Sequence, residues 1–297
     1  MAQKVLQTDL SMGMSAVSGA HSSKPPPMPE DHDGLKYVIP DSITPQLDTR
    51  YTLRGKNGND VQVPLRCWGA WSRGDTSTFH WSDDELPALQ AAWKKCLENG
   101  ITFVDTTQVY GSGKSEEILA DLIHNHRPGV DRSKIIVQTK WLPNVTDQGK
   151  NVLHPVDAPF KQLQKTLDRM KLTHIDCYLV HGHIHISSIK QVAKGLAKCV
   201  EEGLTKTVGV ANYSHGIPLA TDQCEYSIIR RMPETEGMLE ACRENDIVFQ
   251  SYSSIAQGRL SGKYGRDNPP PKQYRFSSYN MEHVEPCLEV QRKLAEK

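Results

Sequence analysis

A short strand and the turn after it occupy residues 100–111, which read Gly100-Ile101-Thr102-Phe103-Val104-Asp105-Thr106-Thr107-Gln108-Val109-Tyr110-Gly111. The stretch 101–105 is largely apolar, and an amphipathic helix is predicted on each side of it. The alternation continues toward the C-terminus, with further strands predicted at 134–139, 175–180 and 207–211. Four helices are predicted from apolar residues that share one helical face: Leu86, Leu89, Trp93, Cys96 and Leu97; Ile118, Leu119, Leu122 and Ile123; Phe160, Leu163, Leu167 and Met170; and Ile189, Val192, Leu196, Cys199 and Val200.

Helices and strands that alternate in this way predict an α/β fold with a parallel sheet. The strand Ile135-Ile136-Val137 is apolar on both faces, as expected of a parallel strand covered on both sides. At least five such units in a row favour a (β/α)8 TIM barrel over an open sheet. No G-x-G-x-x-G motif follows a predicted strand, which argues against a Rossmann fold.

The N-terminal region differs from the rest in composition. Residues 1–48 contain Pro25-Pro26-Pro27 and show little apolar periodicity, so we expect a disordered or loosely attached leader. Residues 49–297 form the predicted barrel domain. Within it, Lys56-Asn57-Gly58-Asn59 lies between short mixed runs and indicates a hairpin.

Charge and cysteine content restrict the function classes. Lys plus Arg and Asp plus Glu each total 35, so the net charge is zero and a nucleic-acid binder held by bulk charge is not expected. No apolar run approaches the roughly 18 residues of a membrane span, and no secretory signal is visible. The seven cysteines are scattered without a C-x-x-C pair, a pattern typical of reduced thiols in a cytoplasmic protein.

Four polar residues lie at or just after the ends of successive predicted strands. Asp105, Lys140 and His181 end their strands, and Tyr110 lies five residues past Asp105. In a βα barrel these ends surround one pocket. A phenol has a pKa of about 10, and a nearby ammonium favours its ionised form. Such a tyrosine can donate a proton to a carbonyl oxygen while a hydride arrives at carbon.

Other interpretations of these residues remain open. Taken singly, each is more often a helix cap, a packing residue or a solvated charge. The sequence His181-Gly182-His183-Ile184-His185 suggests a metal site, but no carboxylate or Cys stands at ligand spacing beside it, and we expect no metal. Gly111-Ser112-Gly113-Lys114-Ser115 lacks Walker spacing and is better interpreted as a glycine-rich turn before a helix.

Several motifs occur together in one order. Residues 100–111 followed by Ser115-Glu116 resemble the signature of the aldo-keto reductases, and residues 208–214, 222–227 and 251–264 resemble the motifs of that family's fifth, sixth and seventh strands. The resemblance covers residues from about 65 onward and is strongest to the branch that includes the potassium-channel β subunits and many microbial and plant reductases.

The resemblance implies a TIM barrel that binds NADP(H), with Asp105, Tyr110, Lys140 and His181 as the catalytic tetrad and Tyr110 as general acid. It also implies a set of cofactor-binding residues. Asn212 and Gln223 would hold the nicotinamide carboxamide, and Tyr252 would stack on the ring. The remaining positions would border the ring, wrap the pyrophosphate or reach the 2′-phosphate: Trp71 on the first strand, Asp105, Ser253, Ser254, Ile255, Gly258, Lys263 and Arg275.

Two departures from the family pattern predict an incomplete barrel. Only residues 212–217 separate the predicted fifth and sixth strands, so the helix that the family has there is expected to be missing. The family also continues into an eighth strand and helix beyond the point where Lys297 stands, and we expect this unit to be absent from the chain as written.

Together these features predict an enzyme that reduces an aldehyde or ketone to an alcohol with NADP(H), acting on a small carbonyl substrate. The alternative is a non-catalytic relative that senses the cofactor or binds a partner. The four tetrad residues favour the enzyme, and the missing eighth unit favours the alternative. The sequence does not indicate the substrate or the oligomeric state.

Overall fold

The computed structural model describes residues 48–142, 154–182, 187–212, 219–270 and 281–296. Four sequence predictions lie outside these ranges: nearly all of the N-terminal leader, the metal-site alternative at His183 and His185, the link at 213–218 between the predicted fifth and sixth strands, and the cofactor role of Arg275.

Seven strands form one parallel sheet in the order in which they occur along the chain. They are β3 (Cys67–Gly69), β4 (Phe103–Asp105), β5 (Ile136–Trp141), β6 (Ile175–His181), β7 (Thr205–Ala211), β8 (Thr221–Glu225) and β9 (Val248–Tyr252). The helices are α1 (Leu86–Glu98), α2 (Lys114–Asn125), α3 (Asp157–Met170), α4 (Ile189–Glu201), α5 (Met232–Thr235), α6 (Met238–Glu244) and α7 (Met281–Ala295).

Two glutamines show that the sheet is curled. Neighbouring strands lie about 4.8 Å apart, so β5 and β9, four positions apart in the sheet, would be separated by about 19 Å if the sheet were flat. Instead Gln138 of β5 and Gln250 of β9 form two hydrogen bonds of 3.0 Å each. The two strands therefore face each other across an interior, as in a barrel.

A hairpin closes the N-terminal end of this interior. β1 (Arg50–Leu53) pairs antiparallel with β2 (Val61–Pro64) across the turn at Lys56–Gly58, which confirms the hairpin predicted from Asn57-Gly58. Its apolar side chains join those of the inward-facing strand residues in one buried cluster: Leu53, Val61, Val63, Phe103, Cys177, Leu179, Ala211 and Ala220. This cluster fills that end of the interior with apolar side chains.

The outer face of the sheet is covered by helices. Most of the predicted helical faces are buried, and Leu89 and Trp93 of α1 and Leu163 of α3 pack with outward strand residues such as Val137 and Val180 in the main core. Ile189, predicted on the buried face of α4, is instead 40% exposed at the start of that helix. This arrangement of helices around a curled parallel sheet confirms the predicted (β/α)8 fold class. Within the described residues there is no helix between β7 and β8 and no eighth parallel strand.

Several strand boundaries differ from the sequence prediction, among them those of β5, predicted at 134–139, and of β7, predicted at 207–211. β3 ends at Gly69, so Trp71 lies in the turn after the first barrel strand rather than on it. β4 begins at Phe103, two residues later than predicted, because Gly100 adopts a positive φ of 71° and the chain is still leaving α1 there. In the parts of the chain that the structure describes, no helix has the length and apolar character needed to cross a bilayer.

Candidate active site

A buried ion pair lies where β4 and β5 end. Lys140 is 2% exposed, and its Nζ is 2.6 Å from Oδ2 of Asp105 and donates to the backbone oxygen of Thr106 at 3.2 Å. Burial alone would lower the pKa of Lys140, but the opposing attraction of Asp105 and of Tyr110 raises it overall. The ammonium is therefore held charged inside the protein.

Tyr110 is positioned by a tight turn that follows β4. Gly111, Ser112 and Gly113 have φ values of 54°, 56° and 97°, which reverse the chain before α2 begins at Lys114. A Cβ on Gly111 would lie 2.4 Å from the backbone oxygen of Gly74, so this turn packs directly on the turn after β3. The glycine-rich turn predicted here is thus confirmed.

Polar anchors fix the segment that leads to this turn. Thr107 donates from Oγ1 to the backbone oxygen of Lys140 at 3.0 Å, and Gln108 donates from Nε2 to the backbone oxygen of Leu142 at 2.8 Å. These bonds tie the β4–α2 loop to the end of β5, and therefore hold Tyr110 next to the strand that carries Lys140.

The half-buried ring of Tyr110 is surrounded by the other predicted residues. Lys140 Nζ lies 5.3 Å from its centroid. The His181 ring packs edge-on at 5.9 Å between centroids, and Trp71 stacks on it at 5.9 Å with an interplanar angle of 24°. The structure therefore brings all four tetrad residues and Trp71 together, although Trp71 comes from a turn.

Two glutamines beside this cluster, Gln138 and the half-buried Gln250, were not predicted. Gln138 is fully buried and donates from Nε2 to Oδ1 of Asp105 at 2.7 Å. Gln250 pairs with Gln138 and accepts a further bond of 3.2 Å from Nε2 of Gln223. The two-residue periodicity of strands offered a signal, because Gln138 precedes Lys140 by two positions and Gln250 precedes Tyr252 by two.

The residues expected at the nicotinamide lie together: Asn212 follows β7, Gln223 lies in the middle of β8, and Tyr252 ends β9. Tyr252 donates from its hydroxyl to Oδ1 of Asn212 at 3.0 Å, and the Asn212 backbone N–H donates to the Gln223 backbone oxygen at 3.0 Å. Asn212 has a φ of 60°, a conformation that asparagine tolerates better than most residues. Burial, with a smaller contribution from Glu225, raises the pKa of Tyr252, so this phenol remains neutral.

The segment after Tyr252 is a compact turn of unusual backbone. Ser253, Ala256, Gln257 and Gly258 have φ values between 48° and 91°. Within it, the Ala256 N–H donates to the Ser253 backbone oxygen at 2.7 Å, and the Gly258 N–H donates to the Ile255 backbone oxygen at 3.0 Å. The turn packs against α7 in an apolar cluster separate from the main core. Its buried members are Ala256, Leu260, Met281, Val284 and Leu288.

The remaining predicted cofactor residues lie around this turn. The hydroxyl of Ser254 is 2.9 Å from that of Ser251, and Ile255 is 58% exposed. Lys263 is exposed, with its Nζ 5.4 Å from the ring centroid of Tyr264. Across the described ranges, no group of three or more His, Cys, Asp and Glu side chains is arranged to hold a metal ion.

A second buried carboxylate, that of Glu116, links α2, β5 and α3. Glu116 is fully buried, pairs with Arg169, and accepts hydrogen bonds from Thr139 at 3.0 Å and Thr166 at 3.3 Å. Burial raises the pKa of Glu116 despite the opposing effect of Arg169. This network fixes α2 and α3 against the strand that carries Lys140.

Comparisons with known proteins agree with this geometry. An aldo-keto reductase of Schizosaccharomyces pombe, whose name specifies NADP(+), is 29% identical over 255 residues, covering 80% of this chain and 72% of that protein. The chloroplastic pyridoxal reductase of Arabidopsis thaliana is 26% identical over 260 residues, covering 77% and 67%. The structure of a glycerol dehydrogenase from Gluconobacter oxydans superimposes with a TM-score of 0.66 at 25% identity, covering 82% and 78%.

The family profile described as "Aldo/keto reductase family" matches residues 67–297, which include every strand of the parallel sheet and every residue of the site described above. The chain belongs to the aldo-keto reductase family of oxidoreductases.

Proposed function

We propose that this chain is an NADP(H)-dependent oxidoreductase that reduces an aldehyde or ketone to an alcohol, with Tyr110 as the general acid. The observation that carries the proposal is the buried Lys140 ammonium, which Asp105 holds 5.3 Å from the Tyr110 ring. A fixed positive charge at that position favours proton loss from the phenol.

The residues beyond the tetrad fit a nicotinamide cofactor. Asn212 and Gln223 offer side-chain amides that match a carboxamide, and Tyr252 lies beside them with a flat apolar ring. By its resemblance to the family's seventh-strand loop, the turn from Ser253 to Gly258 would wrap the pyrophosphate. When bound, the reduced cofactor supplies a hydride.

The tetrad residues then have distinct roles. Tyr110 donates its hydroxyl proton to the carbonyl oxygen of the substrate, which becomes the alcohol oxygen. Lys140 stabilises the phenolate that remains, and Asp105 keeps Lys140 charged and oriented. His181, which packs edge-on against the Tyr110 ring, and Trp71, which stacks on it, would border the space in which the carbonyl oxygen meets the hydroxyl.

The substrate is a small-molecule aldehyde or ketone, in keeping with relatives named for pyridoxal and for glycerol. The preference for NADP(H) over NAD(H) rests on Lys263, with Arg275 as a second candidate for the 2′-phosphate. A cationic side chain there adds a charge-assisted bond that only the phosphorylated cofactor can accept. We place the activity in the cytoplasm, since the scattered cysteines suit a reducing compartment.

The test compares the 297-residue chain with its Tyr110→Phe variant on a panel of aldehydes and ketones. The variant should lose about 10²- to 10⁴-fold in kcat, the usual contribution of a positioned acid. NADPH affinity, measured by fluorescence titration, should be nearly unchanged. Tyr51→Phe, which alters an exposed tyrosine on the hairpin, is the matched control and should retain full activity. Equal turnover in the parent and Tyr110→Phe would refute the role of Tyr110, and NADPH binding without any carbonyl reduction would favour the non-catalytic alternative.

A further inference from the structure

A row of side-chain amides crosses the barrel interior between the catalytic ion pair and the proposed nicotinamide site. It starts at Asp105 Oδ1, passes through Gln138 and Gln250, and ends at Gln223. The tetrad mechanism uses neither Gln138 nor Gln250.

The charge of Asp105 determines which way the first amide faces. An amide presents a donor at one end and an acceptor at the other, and only the donor end is attractive to a carboxylate. Gln138 Nε2 is 2.7 Å from Asp105 Oδ1, so its carbonyl oxygen faces away from the charge. Reversal would place two oxygens at that distance in a buried site, where an unfavourable contact is weakly screened.

The second amide is oriented by the first. The outward-facing Oε1 of Gln138 accepts from Gln250 Nε2 at 3.0 Å, while Gln138 Nε2 also donates to Gln250 Oε1 at 3.0 Å. This reciprocal pairing leaves Gln250 with its carbonyl toward Gln223, from which it accepts at 3.2 Å. The Nε2 of Gln223 is consequently engaged as a donor to Gln250. Among the described residues no donor reaches the Oε1 of Gln223, which is the acceptor that a carboxamide N–H₂ requires.

We propose that Gln138 and Gln250 are positioning residues that transmit the negative charge of Asp105 to the amide orientation of Gln223, so that the ionised catalytic pair prepares the carboxamide-binding group. The inference rests on the proposed function for its link to the cofactor. The coupling between the charge of Asp105 and the amide orientation of Gln223 can be measured on the protein without cofactor.

The first experiment therefore needs no cofactor. Protein labelled with ¹⁵N in its glutamine side chains gives one amide signal pair per glutamine, and single Gln→Met variants assign them. Asp105→Asn should move the signals of Gln138, Gln250 and Gln223, because neutralising the carboxylate removes the constraint on all three. In a Gln250→Met background the same change should move the Gln138 signals and leave those of Gln223 in place.

A second variant covers the case in which Asp105→Asn does not fold. Gln138→Met keeps the Asp105 charge and does not alter a direct contact of Gln223, yet it should still move the Gln223 signals through Gln250. Gln62, whose amide bonds to Thr52 on the hairpin, is the internal reference and should not move. Two results would overturn the proposal. In one, Gln138→Met leaves the Gln223 signals unmoved. In the other, Asp105→Asn moves the Gln223 signals equally with and without Gln250.

The second experiment tests the consequence for binding. Gln138→Met should weaken NADPH binding about fivefold, as expected for the loss of one properly directed hydrogen bond. It should leave the affinity for 2′-phospho-ADP-ribose, which lacks the nicotinamide, unchanged. Equal weakening of both ligands would show a merely structural role and overturn the positioning claim. Absence of NADPH binding by the parent chain would refute the proposed function, while the labelled amides would still decide the coupling.

Discussion

Replacement of Asp105 by asparagine should reveal how strongly the ion pair with Lys140 affects folding. The asparagine keeps the shape of the side chain but removes the charge that opposes the buried ammonium at 2.6 Å. Lys140 cannot move into water, because it is 2% exposed and lies between the ends of β4 and β5. The variant thus leaves a cation buried without its counter-charge.

The expected loss is about 3 to 5 kcal/mol in the free energy of unfolding at pH 7, the usual result of removing one partner from a buried pair. That is a large part of the roughly 5 to 15 kcal/mol that stabilises a typical domain. Asp157→Asn is the matched control. Asp157 pairs with Lys198 at 2.9 Å, but each side chain is 38% exposed and solvent screens the pair, so the loss should be far smaller than for Asp105→Asn.

The pH dependence should reverse sign. In the parent, the raised pKa of Lys140 means that its contribution to stability is complete below the unfolded-state value of about 10.4 and is lost as the pH rises through the higher folded-state pKa. Without Asp105, burial dominates and lowers the folded-state pKa of Lys140. The unfolded chain then binds the extra proton, and stability increases with pH up to about 10.4.

The assay is urea unfolding between pH 7 and 9.5, followed by the fluorescence of buried tryptophans such as Trp93 and Trp141. Buried thiols away from Asp105, such as Cys199 and Cys242, whose pKa values burial raises to about 12 and about 11, lower the stability of the parent and the variant alike at high pH. The difference between the two curves removes their contribution. A difference that is small at pH 7, or that does not shrink as the pH rises, would refute this account of the pair.

Three further outcomes are expected. Gly111→Ala should lower the unfolding free energy more than Gly129→Ala does, and should lower kcat far more. Both glycines have a positive φ, but only a Cβ at position 111 would lie within 2.4 Å of the Gly74 oxygen and displace the turn. Equal losses in urea unfolding and in turnover would contradict this. Glu116→Gln should remove the decrease in unfolding free energy that the parent shows as the pH rises above about 4.5. Burial raises the pKa of Glu116, so the folded parent retains a proton that the unfolded chain has lost. The difference between the unfolding free energies of the two proteins, measured between pH 4 and 7, checks the sign. Lys263→Met should reduce the preference for NADPH over NADH about tenfold in titrations, as expected for one charge-assisted bond, and an unchanged ratio would remove its role at the 2′-phosphate.

The strand-end positions account for most of what could be predicted. Asp105, Lys140 and His181 were identifiable because parallel strands end at the same edge of a sheet, and the structure places all three at the ends of neighbouring strands. Tyr110 was assigned from the spacing of a loop, and its turn follows from local glycine chemistry. The loop spacing is a local signal, and the strand-end positions depend only on the direction of the strands in the sheet.

The glutamine row could not be found in this way. Gln138 and Gln250 lie far apart in the sequence and meet only because the sheet curls. Periodicity identifies the face of a strand on which each residue lies, but not which strand faces it across the interior. The position of Trp71 was missed for a related reason, since β3 is only three residues long and its end is set by packing against the Tyr110 turn.

The most direct test of the central claim is a single-turnover experiment on the full chain. Enzyme saturated with NADPH is mixed rapidly with an aldehyde that the parent reduces, and the loss of absorbance at 340 nm is compared with the alcohol formed, in the parent and in Tyr110→Phe. The account predicts one alcohol per cofactor oxidised, and a rate about 10²- to 10⁴-fold lower in the variant at equal cofactor occupancy. Equal single-turnover rates in the two proteins would contradict it.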